Sequence, residues 1–502
     1  MTLEEQEMFK SMNETNAVLR SSLFAQAAQI RAQSQQISVL LEQTRQQAER
    51  IEELLHKIDE LSGKGKDSHN SSKPPSSDGY GKKPAPKSLK KASGKKQGGQ
   101  TGHKGGSLAI TREPDEVVQH HPVMCMNCPN RGKCAYRVCE SRYVVDIEIK
   151  TVITQHQQIE CSCALLNNKP IQGCFPTDVA ATKQYGTNIT ALSSVLSTVG
   201  MMSMDRIHQV LHSITEDLDI SAATIRNMLH RLWLSSKQAA DHIQNRVSSL
   251  PLLHCDETGL RVEGSLHWLH CACDSKWSYF FLHEKRGTDA INAMGILPGY
   301  TGTMVHDCWS PYFKLEEASH ALCGAHIARE LIYAHEQLAQ PWAEKLKNLL
   351  FRILDEINQR SKLGNSCFPA AQLVAFEREY DELVRDGMEQ NPLPERKPNQ
   401  RGRIGKGKVR SLLERLDNYK DEILRFACDW TIPFTNNEAE RSIRFSKVKQ
   451  KVSGCFRTEQ GAREYAETMT FISSAHKHGV AYFDAVKTAL QGNALALVQT
   501  WG

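Results

Sequence analysis

Two aspartates that close short apolar runs, Asp256 in PLLHCDETGL and Asp307 in TGTMVHDCWSPY, constrain this chain more than any other feature. Such runs read as buried strands, and a carboxylate at the end of each has to be accounted for by chemistry rather than by packing. Between them lie two more strand-like runs, LHWLHCAC from Leu266 to Cys273 and WSYFFLHE from Trp277 to Glu284, then a helical stretch from Thr288 to Ile296. The order is strand, strand, strand, helix, strand, as in a ribonuclease H-like mixed sheet. Downstream, FTNNEAERSIRF opens a further helix that carries Glu438 and Glu440. Two strand-end aspartates and one helix-borne glutamate can converge on a single metal site.

The rest of the chain is organised around that stretch. With 502 residues it exceeds one ordinary core, so several domains with linkers are expected. A hydrophobic content of 40% and a charged content of 24% are those of a soluble protein, with no apolar run of membrane-spanning length. The acidic start MTLEEQEMFK lacks the apolar segment of an export signal, so a cytoplasmic, nucleoid-associated protein is expected. Of 15 cysteines, seven fall between Cys125 and Cys174, which suits metal binding in a reducing compartment better than disulfides.

Leu23, Ile30, Ile37, Thr44, Ile51 and Ile58 recur every seventh residue, with Leu40 or Leu41, Leu54 or Leu55 and Leu61 at the other seam position. Heptads in register predict a coiled coil over 1–61, and with it a homo-oligomer. Lysine, glycine, serine and proline dominate 62–112, which cannot repay its ordering entropy by burial and reads as a disordered basic linker. Over 113–177, Cys125-x-x-Cys128 and Cys161-x-Cys163 resemble the two thiolate pairs of a zinc ribbon holding one structural zinc, with Cys134, Cys139, Cys174, His120 and His121 nearby. The segment 178–247 is helical. Ser221 caps ISAATIRNMLHRLW, which as the second helix of a helix-turn-helix would offer Arg226, Asn227, His230 and Arg231 to a DNA groove, the alternative being a structural connector.

The catalytic core then occupies 248–330 and 428–502, split by a helical insertion over 331–427 that is rich in Leu, Glu, Lys and Arg. Inside the insertion RKPNQRGRIGKGKVR places Arg401, Arg403, Lys406 and Lys408 in a basic loop suited to a phosphate backbone. After the helix acids, Arg441, Arg444, Lys447, Lys449 and Lys451 add a second basic face. Cys323-x-x-His326 reads as a packing or hydrogen-bonding pair, with half a metal site as its alternative.

Phosphodiester cleavage by metals uses two hard cations roughly 4 Å apart held by carboxylates. Asp256 is the natural bridging ligand, Asp307 would take one ion and the helix acid the other. Thr435-Asn436-Asn437-Glu438 has capping-box spacing, which assigns Glu438 to the cap of Thr435. Residues two apart on a helix point about 200° away from each other, so that assignment leaves Glu440 as the ligand.

GGQTGHKGG after SSKPPSSD, then CMNC, HCDETGLRV, HDCWSPY, CGAHIARE and FTNNEAERSIR resemble, in order, the signatures of transposases of the insertion sequence 66 family. The resemblance spans nearly the whole chain. It departs in having Thr435 before Asn436 and Asn437, Trp309 ahead of Tyr312, and KVKQKVSGCF in place of the usual downstream signature. It implies a DDE transposase with Asp256, Asp307 and Glu440 as the triad, two magnesium or manganese ions, one structural zinc, and double-stranded DNA as partner. Accessory proteins of the same element are candidate further partners. The reaction implied is cleavage of element ends followed by attack of the freed 3′-hydroxyl on target DNA. A structure-specific nuclease on the same fold and a non-enzymatic zinc-dependent DNA-binding regulator are the alternatives.

Overall fold

The computed structural model describes residues 3–61, 102, 108–129, 133–135, 137–163, 169–215, 217–393 and 406–502. Most of the basic linker, together with Arg401 and Arg403, lies outside the described residues. The chain divides into two compact units, Met1–Lys87 with His326–Lys420, and Ser88–Ala325 with Asp421–Gly502.

In chain order the elements begin with α1 (Leu3–Leu61) and the single turn α2 (Val123–Met126). A hairpin of β1 (Glu160–Cys163) and β2 (Lys169–Gln172) follows, with Cys161 opposite Ile171. Next come α3 (Thr187–Thr198), α4 (Met204–Ile214) and α5 (Ala222–Ser248). Ser221 caps α5 as expected, its Oγ accepting the Thr224 N–H at 3.1 Å. Along α1, Leu23, Ile30, Ile37 and Leu40 are exposed in the single chain.

The central sheet is made of β3 (Leu252–Val262), β4 (Ser265–Cys273), β5 (Ser278–His283), β6 (Thr303–His306) and β7 (Ser319–Leu322), with α6 (Thr288–Met294) between β5 and β6. Strand order is β5-β4-β3-β6-β7. The first three strands are antiparallel neighbours and the last two run parallel to β3. The β3–β4 turn is Glu263-Gly264, both at positive φ (51° and 78°), the backbone that a two-residue hairpin of matching twist requires. Passing through α6 returns the chain to the other side of β3, so β3 lies at the centre of the sheet.

Alternation along the strands gives the sheet two buried faces. On one, Leu253, Cys255, Ala272 and Tyr279 join Ala239, Ile243 and Val247 of α5 in a single core. On the other, Leu260, Val262, Leu269, Cys271 and Phe280 pack against two later helices, α12 (Asn437–Ser453) and α13 (Glu459–Lys477). Burial on both faces explains why these strands read as near-continuous apolar runs.

Between β7 and α12 the elements are α7 (Gly324–Leu338), α8 (Pro341–Lys362), α9 (Ala370–Gln390), α10 (Lys408–Asn418) and α11 (Lys420–Cys428). The chain ends in α14 (Tyr482–Leu490) and α15 (Ala494–Gln499). No described helix is long and apolar enough to cross a membrane.

Candidate active site

The sheet register brings the two aspartates side by side. β3 and β6 pair in parallel with His254 opposite Val305; two residues further on stand Asp256, within β3, and Asp307, just past the end of β6. Neighbouring strands are about 4.8 Å apart, so these side chains leave the sheet at adjacent positions. A backbone N–H steadies one oxygen of each acid: Glu257 donates to Asp256 Oδ1 at 2.9 Å and Trp309 to Asp307 Oδ1 at 3.1 Å.

The third acid arrives on α12, which packs against β3. Its approach is fixed by Asn436, which is 2% exposed. The Asn436 Nδ2 donates to the Cys255 carbonyl at 2.7 Å, its Oδ1 lies 2.9 Å from His254 Nδ1, and its backbone N–H donates to Cys323 Sγ at 3.2 Å. Alongside, the Gly324 N–H donates to the Phe434 carbonyl at 2.8 Å. A Cβ on Gly324 would come within 2.2 Å of the Phe434 ring, so only glycine allows this approach. Glu440 follows one turn later, its N–H donating to the Asn436 carbonyl at 3.2 Å.

The capping box expected at this helix start is not formed. Asn436, rather than Thr435, precedes the first helical residue, and no side-chain capping bond is made. The reason is competition: the Asn436 amide is committed to β3, and its backbone (φ −86°, ψ 26°) is not the extended conformation of a cap. Glu438 instead pairs with Lys477 Nζ at 2.9 Å. Its partner is therefore a different one from the one expected.

Electrostatics tie the three acids together. The Asp256 carboxyl is pushed well above the usual carboxylate range, first by burial and then by the negative charges of Glu257, Asp307 and Glu440. Like charges crowded into a poorly solvated site are a standing cost that a bound cation would relieve. The donors are hard oxygens, so the set fits magnesium or manganese. Cys323 contributes a second kind of donor, its Sγ lying within 4.8 Å of one Glu440 oxygen. The hydrogen-bonding role expected for Cys323 is met by its contact with the Asn436 N–H.

Several residues singled out as DNA contacts have partners inside the chain. Arg226 pairs with Glu464 at 2.8 Å, Arg231 donates to Thr190 Oγ1 at 2.7 Å, and α5 buries Ile225, Met228 and Leu232 against the core. Arg226 is half-buried and Arg231 exposed, each with a partner inside the chain. Lys447 donates to the Gly259 carbonyl at 2.8 Å, and burial lowers its pKa while the charge of Asp256 raises it. Lys449 is buried, donating to the Ser197 and Met202 carbonyls at 3.0 and 2.9 Å, so it drops out of the basic face. Arg441, Arg444 and Lys451 are exposed. In the insertion, Lys406 pairs with Glu414 at 2.7 Å and Lys408 lies 5.5 Å from the Tyr333 ring.

Cys125 begins to close α2 and Cys128 follows it, with the Cys128 N–H 3.4 Å from the Cys125 carbonyl. Cys161 is exposed on β1, and the side chain of Cys163 lies outside the described residues. Among the described residues, Cys125, Cys128 and Cys161 are not gathered at ligand distance of one another.

Sequence reasoning missed Glu257, because an Asp-Glu pair at a strand end ordinarily has its second acid in solvent. Here Glu257 is buried on the opposite face of β3 from Asp256, accepting Tyr312 Oη–H at 2.7 Å and Arg286 Nε–H at 2.8 Å. The signal was present in the alternation of β3, which gives successive residues opposite faces, both of them covered.

A family model described as Transposase IS66 family matches residues 182–464. A second, described as a family of unknown function (DUF6444), matches residues 19–109. No curated protein matches the chain.

Proposed function

The chain belongs to the Transposase IS66 family, and from that premise we propose that it is a DDE transposase whose triad is Asp256, Asp307 and Glu440 on a ribonuclease H-like core. The observation that carries the proposal is the approach of these acids, two from adjacent strands and one from a helix stapled to the same strand, near enough for the charges of Asp307 and Glu440 to raise the Asp256 pKa, although the three acids are not grouped within 4.8 Å of one another.

Asp256, Asp307 and Glu440 would hold the divalent ions. When bound, those ions supply charge for the oxygens that attack and leave phosphorus in both cleavage and strand transfer. The chain's own part is orientation. Backbone N–H groups of Glu257 and Trp309 hold one oxygen of each aspartate in place. Asn436 sets where α12 begins and therefore where Glu440 stands. Arg441, Arg444 and Lys451 project from α12 at spacings of three and seven, one helix face, and would follow a DNA backbone leading to the acids. Zinc at Cys125, Cys128, Cys161 and Cys163, and a coiled coil of α1 joining copies of the chain, are parts of the same reading.

The test is incubation of the purified chain with labelled element-end DNA, a target plasmid and magnesium. Cleavage followed by joining is expected. Cleavage without joining favours a nuclease, and folded protein that does neither contradicts the proposal.

A further inference from the structure

On the face of β3 opposite Asp256, Arg286 is held on three sides. Its guanidinium carbon lies 4.4 Å from the centre of the Trp309 ring and 4.9 Å from that of Trp268, so one indole covers each neighbouring surface. One edge is engaged by Glu257, whose Oε1 accepts from Nε at 2.8 Å and also from Nη2. The Glu257 side chain is only 2% exposed, and Tyr312 Oη–H donates to its other oxygen at 2.7 Å. A buried carboxylate needs such partners, and both lower the Glu257 pKa against the larger upward push of burial. The Arg286 side chain remains 38% exposed, and no hydrogen bond among the described residues engages its Nη1.

The cluster is joined to the acid centre through the backbone. Trp309 donates its N–H to Asp307 Oδ1 while its ring carries Arg286, and Glu257 donates its N–H to Asp256 Oδ1 while its carboxylate anchors Arg286. The residues that orient the two aspartates are therefore the same residues that immobilise the guanidinium.

We propose that Arg286 is a preorganised contact for a DNA phosphate next to the acid centre, with Glu257, Trp268 and Trp309 as its positioning residues. The inference rests on the transposase reading and adds to it a residue outside the triad and outside the two basic stretches. A guanidinium presents five N–H donors in a planar fork, so one edge can serve Glu257 while the other meets a phosphate oxygen. Both indole faces nearest the cation are taken up by it, which favours a phosphate over a stacked base as the ligand. A polyanion brought up to clustered carboxylates also needs a nearby cation to offset their repulsion, and a fixed one loses little side-chain entropy on contact.

The experiment measures binding of a fluorescein-labelled duplex by the full chain in magnesium-free buffer over a series of potassium chloride concentrations. Arg286→Gln is expected to weaken binding several-fold at low salt and to reduce the slope of log affinity against log salt by about one. Because that variant strands a buried carboxylate, Glu257→Gln/Arg286→Gln is measured too. The double variant removes both charges and leaves the net charge unchanged, yet the same loss of slope is expected. Folded double variant that keeps wild-type affinity and slope overturns the proposal. Wild-type chain that binds no DNA overturns the transposase reading, and this inference with it.

Discussion

The side-chain amide of Asn436 donates to the main-chain carbonyl of Cys255 at 2.7 Å, one residue before Asp256. That bond ties the start of α12 to the central strand at the point where the first acid leaves it. Glu440 is the fourth residue after Asn436 and is bound to it through the helix backbone. A helix that began elsewhere on the strand would carry its glutamate away from the aspartates.

Replacing Asn436 with Ala removes two buried side-chain hydrogen bonds and is expected to cost about 2–3 kcal/mol of stability. Misplacing Glu440 by an ångström should also lower strand transfer about 100-fold while DNA binding persists. Denaturant unfolding and a strand-transfer assay on the same preparation check both. Wild-type activity in a destabilised Asn436→Ala protein would show that the staple does not position the acid.

Lys449 makes a pH prediction of definite sign. Burial lowers its pKa from 10.5 to about 8. Between those values the unfolded chain holds a proton that the folded chain has lost, so stability from this group rises with pH and is lost as pH falls through the folded pKa. Urea midpoints at pH 7.5 and 10 should show wild type gaining roughly 1–3 kcal/mol relative to Lys449→Gln. An unchanged difference would mean that the lysine is not held desolvated.

How much was legible in the sequence depended on the range of the interaction. The order from β3 to β6, the helix α6 and the Ser221 cap all follow from local alternation, periodicity and turn chemistry, and the structure has them. The capping box at Thr435 failed because a local motif was outcompeted by the bonds of Asn436 to His254 and Cys255, 182 and 181 positions from Asn436. The Glu464 partner of Arg226 was hidden for the same reason, since it lies on a helix far along the chain and no periodicity within α5 announces it. Glu257 was hidden because its second covered face is created by Tyr312 and Arg286, which come together only when the sheet forms.

Residues 1–61 should set the oligomeric state. Leu23, Ile30 and Ile37 are exposed along α1 in the single chain at heptad spacing, and a second copy of the helix is the surface that would cover them. Light scattering on a chain lacking these residues should give a lower mass than on the full chain. Equal masses would move the contacts elsewhere.

Glu438 and Glu440 stand two residues apart on α12, and of the two it is the charge of Glu440 that raises the Asp256 pKa. Glu438→Gln breaks a partly exposed pair with Lys477, worth up to about 1 kcal/mol, and should leave activity nearly unchanged. The most direct measurement is strand transfer by wild type, Glu438→Gln and Glu440→Gln, with Asp256→Asn and Asp307→Asn alongside, each checked for DNA binding. The account predicts that Glu440→Gln and both aspartate variants bind DNA but neither cleave nor join it, whereas Glu438→Gln does both. An active Glu440→Gln protein, or an inactive but folded Glu438→Gln, would contradict it.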